Sequence, residues 1–521
     1  MPLKKILRSI RSVPATRPGF CLACFLIVFV LFWTVQCALQ KNILGLDSVE
    51  SVCWGAKLQP GYFKHPPLAA WIAFFAAKAT GWSDWIQYFL DLACTAIGVW
   101  FVYLLAKEFF SASRAALSAL ILFVLHYYVM PRTVFCPNSI MIALQPVMAY
   151  FFFRSLKYGR LADWLLFGLF SGLAFLGKYA AGLLLLSMLI CMVFHEKWRK
   201  KLLSAGPWAA LAVFVPIVLP HLIWLYRNDF ICLTYVEEST GTETPAYIAS
   251  YPLFLLGITL YPLLVQFAAL TVGCLPRHFR RVRIPVNRDA LYFSAMLSAI
   301  PVLVLLLVSL TGRHVVATWL STLASWSGIL TVSVFPFALT RRTFRRIFAW
   351  LIPVSIAVFA SSVISLSAVP REKLHLKPEA LAREVNTYLA GKNAGSVPYV
   401  FGYRWLANSL EYYLPHHPVS IDRDDAVSKK RFLDEMNRGG VLLIERFPER
   451  MLSDIRKDFP RMLPRNFDEL SAKERIEIMK QLVYEGCVEF KAPCSRKAKT
   501  YYFYMIYLPP GKLREYADVR P

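Results

Sequence analysis

Ionisable side chains inside or beside apolar runs are costly to place, so each is a candidate for function. The densest group is Asp47-Ser-Val-Glu50, then Trp54, then Gly61-Tyr62-Phe-Lys64-His65-Pro66-Pro67. A carboxylate such as Asp47 could act as a general base toward a hydroxyl or amine, or it could cap the helix that follows. Lys64 and His65 could neutralise a phosphate. Lys178-Tyr179 falls in the turn between the apolar runs Leu161–Gly177 and Ala180–Phe194. Its ammonium either snorkels to the membrane interface or meets a phosphate as a point charge. His221-Leu-Ile-Trp224 through Asn228-Asp229-Phe230 closes another run, Glu237, Glu238 and Glu243 follow as a substrate contact or a solvated acidic loop, and Arg313-His314 completes the set. No pair among the histidines and glutamates has the i, i+3 or i, i+4 spacing of a helical metal site. His416-His417 reads as a solvated turn before Pro418.

The elements that must position these residues are membrane spans. Of 521 residues, 57% are hydrophobic and 17% charged, with a mean hydropathy of +0.47. Soluble proteins hold roughly 45–50% apolar and about 25% charged residues. The composition excludes a soluble globular enzyme, a disordered chain and a disulfide-stapled secreted domain. Apolar runs near span length lie at 20–39, 86–106, 114–131, 138–153, 161–177, 180–194, 207–227, 252–273, 290–311, 316–339 and 347–368, which predicts about eleven transmembrane helices. Segment 67–80 is shorter and reads as an interfacial helix. The run Phe20–Leu39 is too long for a signal-peptide core and lacks a small-residue cleavage site, so it is expected to stay as an anchor.

With the N-terminus cytoplasmic, the inside loops hold 23 Lys and Arg against eight outside. The positive-inside rule selects that orientation. Eleven crossings then place the C-terminus in the periplasm. The net charge of +25 is accounted for by this topology and by anionic lipid head groups, so membrane lipids, and no nucleic acid, are the expected polyanionic partners.

Two domains are expected: 1–368, with a first outside loop at 40–85, and 369–521. In the second, strand-length runs at Val397–Phe401, Gly440–Ile444 and Tyr501–Tyr507 alternate with helical patterns at Pro378–Leu389, Lys429–Asn437, Pro448–Phe459 and Ser471–Gln481. This predicts a small extracytoplasmic α/β domain. Cys21-x-x-Cys24 lies inside an apolar run and reads as span filler. Cys487 and Cys494 could close a small disulfide loop in an oxidising compartment.

Together these segments resemble the bacterial dolichyl-phosphate-mannose-protein mannosyltransferase-like group, which includes the lipid A aminoarabinose transferases. The likeness rests on Asp47, Trp54 and Gly61-Tyr-Phe-Lys-His-Pro-Pro-Leu-Ala-Ala-Trp71, then Gly172-Leu-Ala-Phe-Leu-Gly-Lys178-Tyr179. It continues through Pro220-His-Leu-Ile-Trp224 with Asn228-Asp-Phe230, Thr318-Trp319, and Phe401-Gly-Tyr-Arg404 through Glu411-Tyr-Tyr-Leu414. The resemblance implies a GT-C fold and transfer of a sugar from a polyprenyl-phosphate donor to a lipid or glycan acceptor, such as lipid A or lipopolysaccharide core. The transferred sugar is left open among hexosyl, pentosyl and uronosyl.

Three positions depart from the pattern. Ser48 and Lys64 stand where the family usually has acidic residues, and Asn138 stands where it has Asp. The acid at the Lys64 position is implicated in metal binding in some members, so a divalent cofactor is in question here.

The expected protein is thus an α-helical polytopic inner-membrane glycosyltransferase with Asp47 as its catalytic carboxylate. Lys64, His65, Lys178 and Arg313 are expected at the donor phosphate. Glu50, Trp54, Tyr62, Tyr179, His221 and Glu237 are expected to line the substrates. The alternatives are a flippase for a lipid-linked glycan, which would carry ionisable groups at mid-bilayer, and a non-catalytic envelope assembly protein. The topology is testable with alkaline phosphatase fusions: a fusion after residue 160 is expected to be inactive and one after residue 516 active, and the reverse pattern would invert the assignment.

Overall fold

The structure is a computed structural model that describes residues 17–125, 128, 134–240, 245–274, 286–311, 321–335, 341–368, 370–464, 466–495 and 497–516. Its helices are α1 (Pro18–Gln40), α2 (Leu46–Ala56), α3 (Leu68–Ala79), α4 (Trp85–Lys107), α5 (Ala112–Leu120), α6 (Pro137–Tyr158), α7 (Leu161–Gly177), α8 (Ala180–Phe194), α9 (Ala205–Arg227), α10 (Ile231–Thr240), α11 (Pro245–Cys274), α12 (Arg288–Leu310), α13 (Ser327–Val334) and α14 (Arg341–Ala368). The C-terminal part adds α15 (Pro378–Gly391), α16 (Arg404–Tyr413), α17 (Ala426–Gly439), α18 (Pro448–Asp458) and α19 (Ala472–Leu482).

All eleven predicted spans contain helix, but not all are full spans. Among the described residues six helices are long and apolar enough to cross a bilayer, or seven if the pair Ala180–Phe194 and Glu196–Leu203, bent by 98°, is one span. Among the described residues the run at 114–131 yields the short α5 and a 3₁₀ turn, Ile121–Val124. Among its described residues the run at 316–339 yields a 3₁₀ turn at Ser321–Trp326 and the short α13. Hydropathy locates apolar chain but does not tell a straight span from two short pieces.

The chain divides into two compact units: Met1–Val35, Pro60–Ala69 and Tyr88–Ser361 form the first, and Gln36–Gln59, Ala70–Gln87 and Ser362–Pro521 the second. The first outside loop is therefore shared between them. The first unit is a helical bundle whose core includes Trp33, Phe123, Phe153, Phe293 and Trp326. Helices α7 and α9 approach so closely that a Cβ on Gly168 would lie 2.2 Å from the Ala210 carbonyl oxygen. Pro137 starts α6, where a missing amide hydrogen costs nothing, and Gly159 ends it in left-handed backbone (φ 67).

The second unit contains a five-stranded sheet of order β2-β1-β3-β5-β4. Its strands are β1 (Tyr399–Gly402), β2 (Val419–Asp422), β3 (Val441–Glu445), β4 (Tyr484–Phe490) and β5 (Lys499–Leu508). The first three are parallel, and β5 pairs antiparallel with both β3 and β4. The apolar strands β1, β3 and β5 match their predicted runs. Strands β2 and β4 escape the hydropathy pattern because β2 has two apolar residues and β4 alternates exposed and buried positions at the sheet edge.

Cys487 and Cys494 are free, exposed thiols, so the expected disulfide is not formed. Cys487 lies mid-strand in β4, three residues or about 10 Å of extended chain from its end. The Cys494 amide is held by the Ser367 carbonyl at 2.9 Å.

At the carboxyl end of β3, buried Glu445 lies 3.1 Å from the Arg423 guanidinium, which is 3.7 Å from Asp454. Burial and the neighbouring Asp454 carboxyl push Glu445 well above the usual carboxylate range. The folded state therefore holds its proton more tightly than the unfolded chain, and this contribution is present at low pH and lost as pH rises past the ordinary glutamate range. The thermal midpoint of the full chain is expected to fall between about pH 5 and about pH 8.5, and Glu445→Gln is expected to flatten that slope. An equal slope in both proteins would refute the assignment.

Candidate functional site

Most of the predicted site residues of the first unit meet at one place. The segment Pro60–Ala69 enters the bundle as a tight turn in which the Tyr62 amide donates to the His65 carbonyl (3.0 Å) and the His65 amide to the Tyr62 carbonyl (3.2 Å). The loop is fastened through His221, which is buried in α9. Its Nδ1 is 2.8 Å from the Pro60 carbonyl and its Nε2 is 2.8 Å from the Tyr179 hydroxyl. A carbonyl only accepts, so Nδ1 carries the hydrogen and Nε2 accepts from Tyr179. Gly61 is required here, since a Cβ would lie 2.3 Å from Trp224 Cε3 and 2.9 Å from His221 Nδ1.

Helix α10 supplies a second wall. Asp229 (φ 51) and Phe230 (φ 54) take left-handed backbone, uncommon for such residues, and reverse the chain directly after α9. Cys232 then donates its thiol hydrogen to the Tyr62 carbonyl at 2.9 Å. Tyr235, one turn on, packs edge-on against Phe63 with ring centres 5.8 Å apart. The ammonium of buried Lys64 lies 5.0 Å from the Phe63 ring centre and 5.7 Å from that of Tyr235, within cation–π range.

Lys178 leaves the end of α7 in extended backbone (φ −167, ψ 141) before Tyr179 and α8 begin a new helix. Its ammonium donates to Asn138 Oδ1 at 2.6 Å. Asn138 sits in the first turn of α6, which is tied to α4 by the Ser139 hydroxyl donating to the buried Asp91 carboxylate. His65, half-buried, lies among these groups. Burial, then the Lys178 charge, then the Lys64 charge push it well below the usual imidazole range, so it is neutral at neutral pH.

The remaining predicted residues fall elsewhere. Glu237 is exposed on α10, about 200° around the helix from Tyr235. Arg313 lies outside the described residues. Asp47, Glu50 and Trp54 belong to α2 in the second unit. Asp47 is exposed in the first turn of that helix, and its carbonyl accepts from the Ser51 hydroxyl at 2.6 Å.

Glu50 and Trp54 are buried. Glu50 lies 3.8 Å from the Arg404 guanidinium, which also reaches Asp422 at 3.3 Å. The entry to α2 is fastened by Trp405 Nε1 donating to the Leu44 carbonyl (3.2 Å) and by the Leu44 amide donating to the Tyr413 hydroxyl (2.8 Å). Buried Glu411 accepts from the Ser420 amide at 2.7 Å.

Sequence reasoning missed Cys232, Tyr235 and Asp422, and met Arg404 only as part of the motif Phe401–Arg404. The i, i+3 spacing of Cys232 and Tyr235 was the only local signal for the first two.

The described residues around this turn do not suit a divalent metal. Among the described residues no group of three or more His, Cys, Asp or Glu is arranged to hold one, and the acids of the family pattern are replaced by Lys64 and Asn138. The cluster gathers two ammonium groups and a neutral imidazole around one turn.

The packing at Gly61 is testable. Gly61→Ala is expected to destabilise the chain by about 1–3 kcal/mol, read as a lower thermal midpoint. Gly182→Ala, whose Cβ would meet only Phe175 at 3.9 Å, is expected to leave it unchanged. Equal midpoints for the two variants would contradict the close fit.

Residues 64–224 match the model of the dolichyl-phosphate-mannose-protein mannosyltransferase family. The lipopolysaccharide core galacturonosyltransferase RgtA of Rhizobium johnstonii is 28% identical over 283 residues, covering 54% of each chain. RgtB of the same organism is 26% identical over 250 residues, 47% of this chain and 50% of that one. The matched part thus spans about half the length of these relatives. The crystal structure of ArnT from Cupriavidus metallidurans in the apo state superposes with a TM-score of 0.57 at 11% identity, over 97% of this chain and all of that one. ArnT bound to undecaprenyl phosphate gives 0.56 at 12% identity, over 93% and 97%. At these identities the structural likeness is one of fold. The chain thus has an ArnT-like fold with, among the described residues, at least six helices long and apolar enough to cross a membrane, as in a multi-pass membrane protein, and is similar over residues 64–224 to the dolichyl-phosphate-mannose-protein mannosyltransferase family.

Proposed function

We propose that this protein is a glycosyltransferase that moves a sugar from a polyprenyl-phosphate donor to an envelope acceptor, lipid A or lipopolysaccharide core, at the periplasmic face of the inner membrane. The observation that carries this reading is the cationic cluster of Lys64, His65 and Lys178, which lies inside the family-matched segment of an ArnT-like fold. A phosphodiester with its lipid tail in the bilayer suits such a cluster: Lys178 and Lys64 supply charge, and the neutral imidazole of His65 supplies one N–H donor. Tyr62 and Tyr179 shape the same turn.

The acceptor hydroxyl attacks the anomeric carbon as the bond from that carbon to the phosphate oxygen breaks. The acceptor proton passes to a general base, the role that the sequence reading gives to Asp47. The polyprenyl phosphate leaves with the bonding electron pair, and the charge it gains is met by the lysines. No step is assigned to a metal. The sugar is left open by these groups, and an acidic one, as in the names of the two Rhizobium relatives, is within the range.

The test is mass spectrometry of lipid A and core oligosaccharide from the source cell in wild type, a deletion, Asp47→Asn and Lys178→Met. One sugar-sized mass is expected to vanish in all three altered strains. A mass lost only in the deletion would overturn the residue assignment, and no change in any strain would favour a non-catalytic assembly role.

A further inference from the structure

Helix α19 carries an apolar stripe that the second unit leaves open. Ile476, Met479 and Val483 recur at i, i+3 and i+7, the spacing of one helical face, yet no residue of the helix is buried. The helix is nonetheless firmly started, because Ser471 and Glu474 cap it reciprocally. Its stripe lines a cavity of about 610 Å³ to which α18, β4 and β5 also contribute. That volume lies inside the range of about 300–1,000 Å³ found for small-ligand sites.

The polar groups of the cavity are of both signs. Arg475 and Lys480 come from α19, Glu449 from α18 and Glu485 from β4. None of the four forms an ion pair among the described residues. Glu485 and Tyr504 are cross-strand partners and so share one face of the sheet. Burial, then the Glu485 carboxylate, then that of Glu449 push the Tyr504 phenol above its usual range. Both acids therefore lie near that phenol, which keeps its hydrogen as a donor. Tyr484 is fixed in place, its ring stacked on Tyr388 at 4.8 Å and its hydroxyl donating to Glu384 at 2.8 Å.

This lining selects a class of ligand. An acyl chain would cover the stripe but would take water from four charged groups without replacing it. A polyanion would meet two carboxylates. A sugar ring has an apolar C–H face and an edge of hydroxyls that both donate and accept. It can therefore cover the stripe, donate to the carboxylates and accept from the guanidinium and ammonium groups.

We infer that the cavity among α18, α19 and the β4–β5 pair is a saccharide-binding subsite that holds the glycan part of the acceptor. A sugar ring packs on Ile476 and Tyr504, and its hydroxyls bridge Arg475 and Glu485. The acceptor role rests on the glycosyltransferase reading above, whereas the saccharide assignment rests on the cavity itself.

The test uses the full chain in lipid nanodiscs and three probes. Two are soluble glycans, core oligosaccharide released from lipopolysaccharide by mild acid and lipid A stripped of its acyl chains, and the third is bare polyprenyl phosphate. The wild type is expected to bind at least one glycan saturably, and which one tells the source of the sugar. Arg475→Gln combined with Glu485→Gln is expected to weaken that glycan about tenfold or more, with polyprenyl phosphate binding and the thermal midpoint unchanged. Ile476→Lys, at an exposed position, is expected to act in the same direction. Glu477→Gln, on α19 but off the cavity, is expected to change nothing.

Glycan binding that is unaltered by the double variant and by Ile476→Lys would overturn the subsite. So would a wild type that binds polyprenyl phosphate but neither glycan; this would leave the donor reading intact and the cavity to a polypeptide or lipid partner. Glycan binding without polyprenyl phosphate binding would keep the saccharide site and remove its acceptor role. Failure of all three probes would overturn both.

Discussion

Burying an ammonium group costs several kcal/mol unless its charge is answered, and this protein gathers two around one half-buried imidazole. Lys64 reaches the place from a loop, and Lys178 from a break between two helices. Much of the first unit serves to hold these two points. His221 donates to the Pro60 carbonyl and accepts from Tyr179, so one buried ring ties the loop to the residue beside Lys178. Cys232 grips the same loop from the other side. Asp91 and Ser139 fix the start of α6, and with it Asn138. Cationic groups held in place ahead of a developing negative charge are the form of preorganisation that electrostatic catalysis needs.

The second unit solves a different problem. Helix α2 carries Asp47, and a short exposed helix would hold a carboxylate poorly by itself. Its inner face is buried, with Glu50 paired to Arg404, which also pairs with Asp422 at the carboxyl end of β2. Trp405 and Tyr413 bind its entry. The segment that hydropathy treats as a membrane loop is, in packing terms, an integral part of the α/β sheet domain.

The parts of this design that are local in sequence were legible there. Apolar runs located the long apolar helices, and the apolar strands β1, β3 and β5 stood out against a charged background. Lys178 was visible because a lysine between two long apolar runs has few explanations. The short elements were harder, since α5 and α13 read as spans by composition alone.

What could not be read was long-range pairing. Glu50 and Arg404 are distant in sequence, and neither has a local pattern that names the other. Tyr235 looked like one aromatic residue among many until α10 was seen to fold back over Lys64. The division of the first outside loop between two units had no compositional signal either, because both parts are equally mixed in polarity.

The central claim, that the Lys64–His65–Lys178 turn is where an anionic donor sits, is tested most directly by cryo-electron microscopy of the full chain in nanodiscs with polyprenyl phosphate. The account predicts phosphate density within about 3 Å of the Lys178 ammonium, facing the turn at His65. Phosphate density bound elsewhere, with Lys178 still donating to Asn138 and the turn at His65 empty, would contradict it.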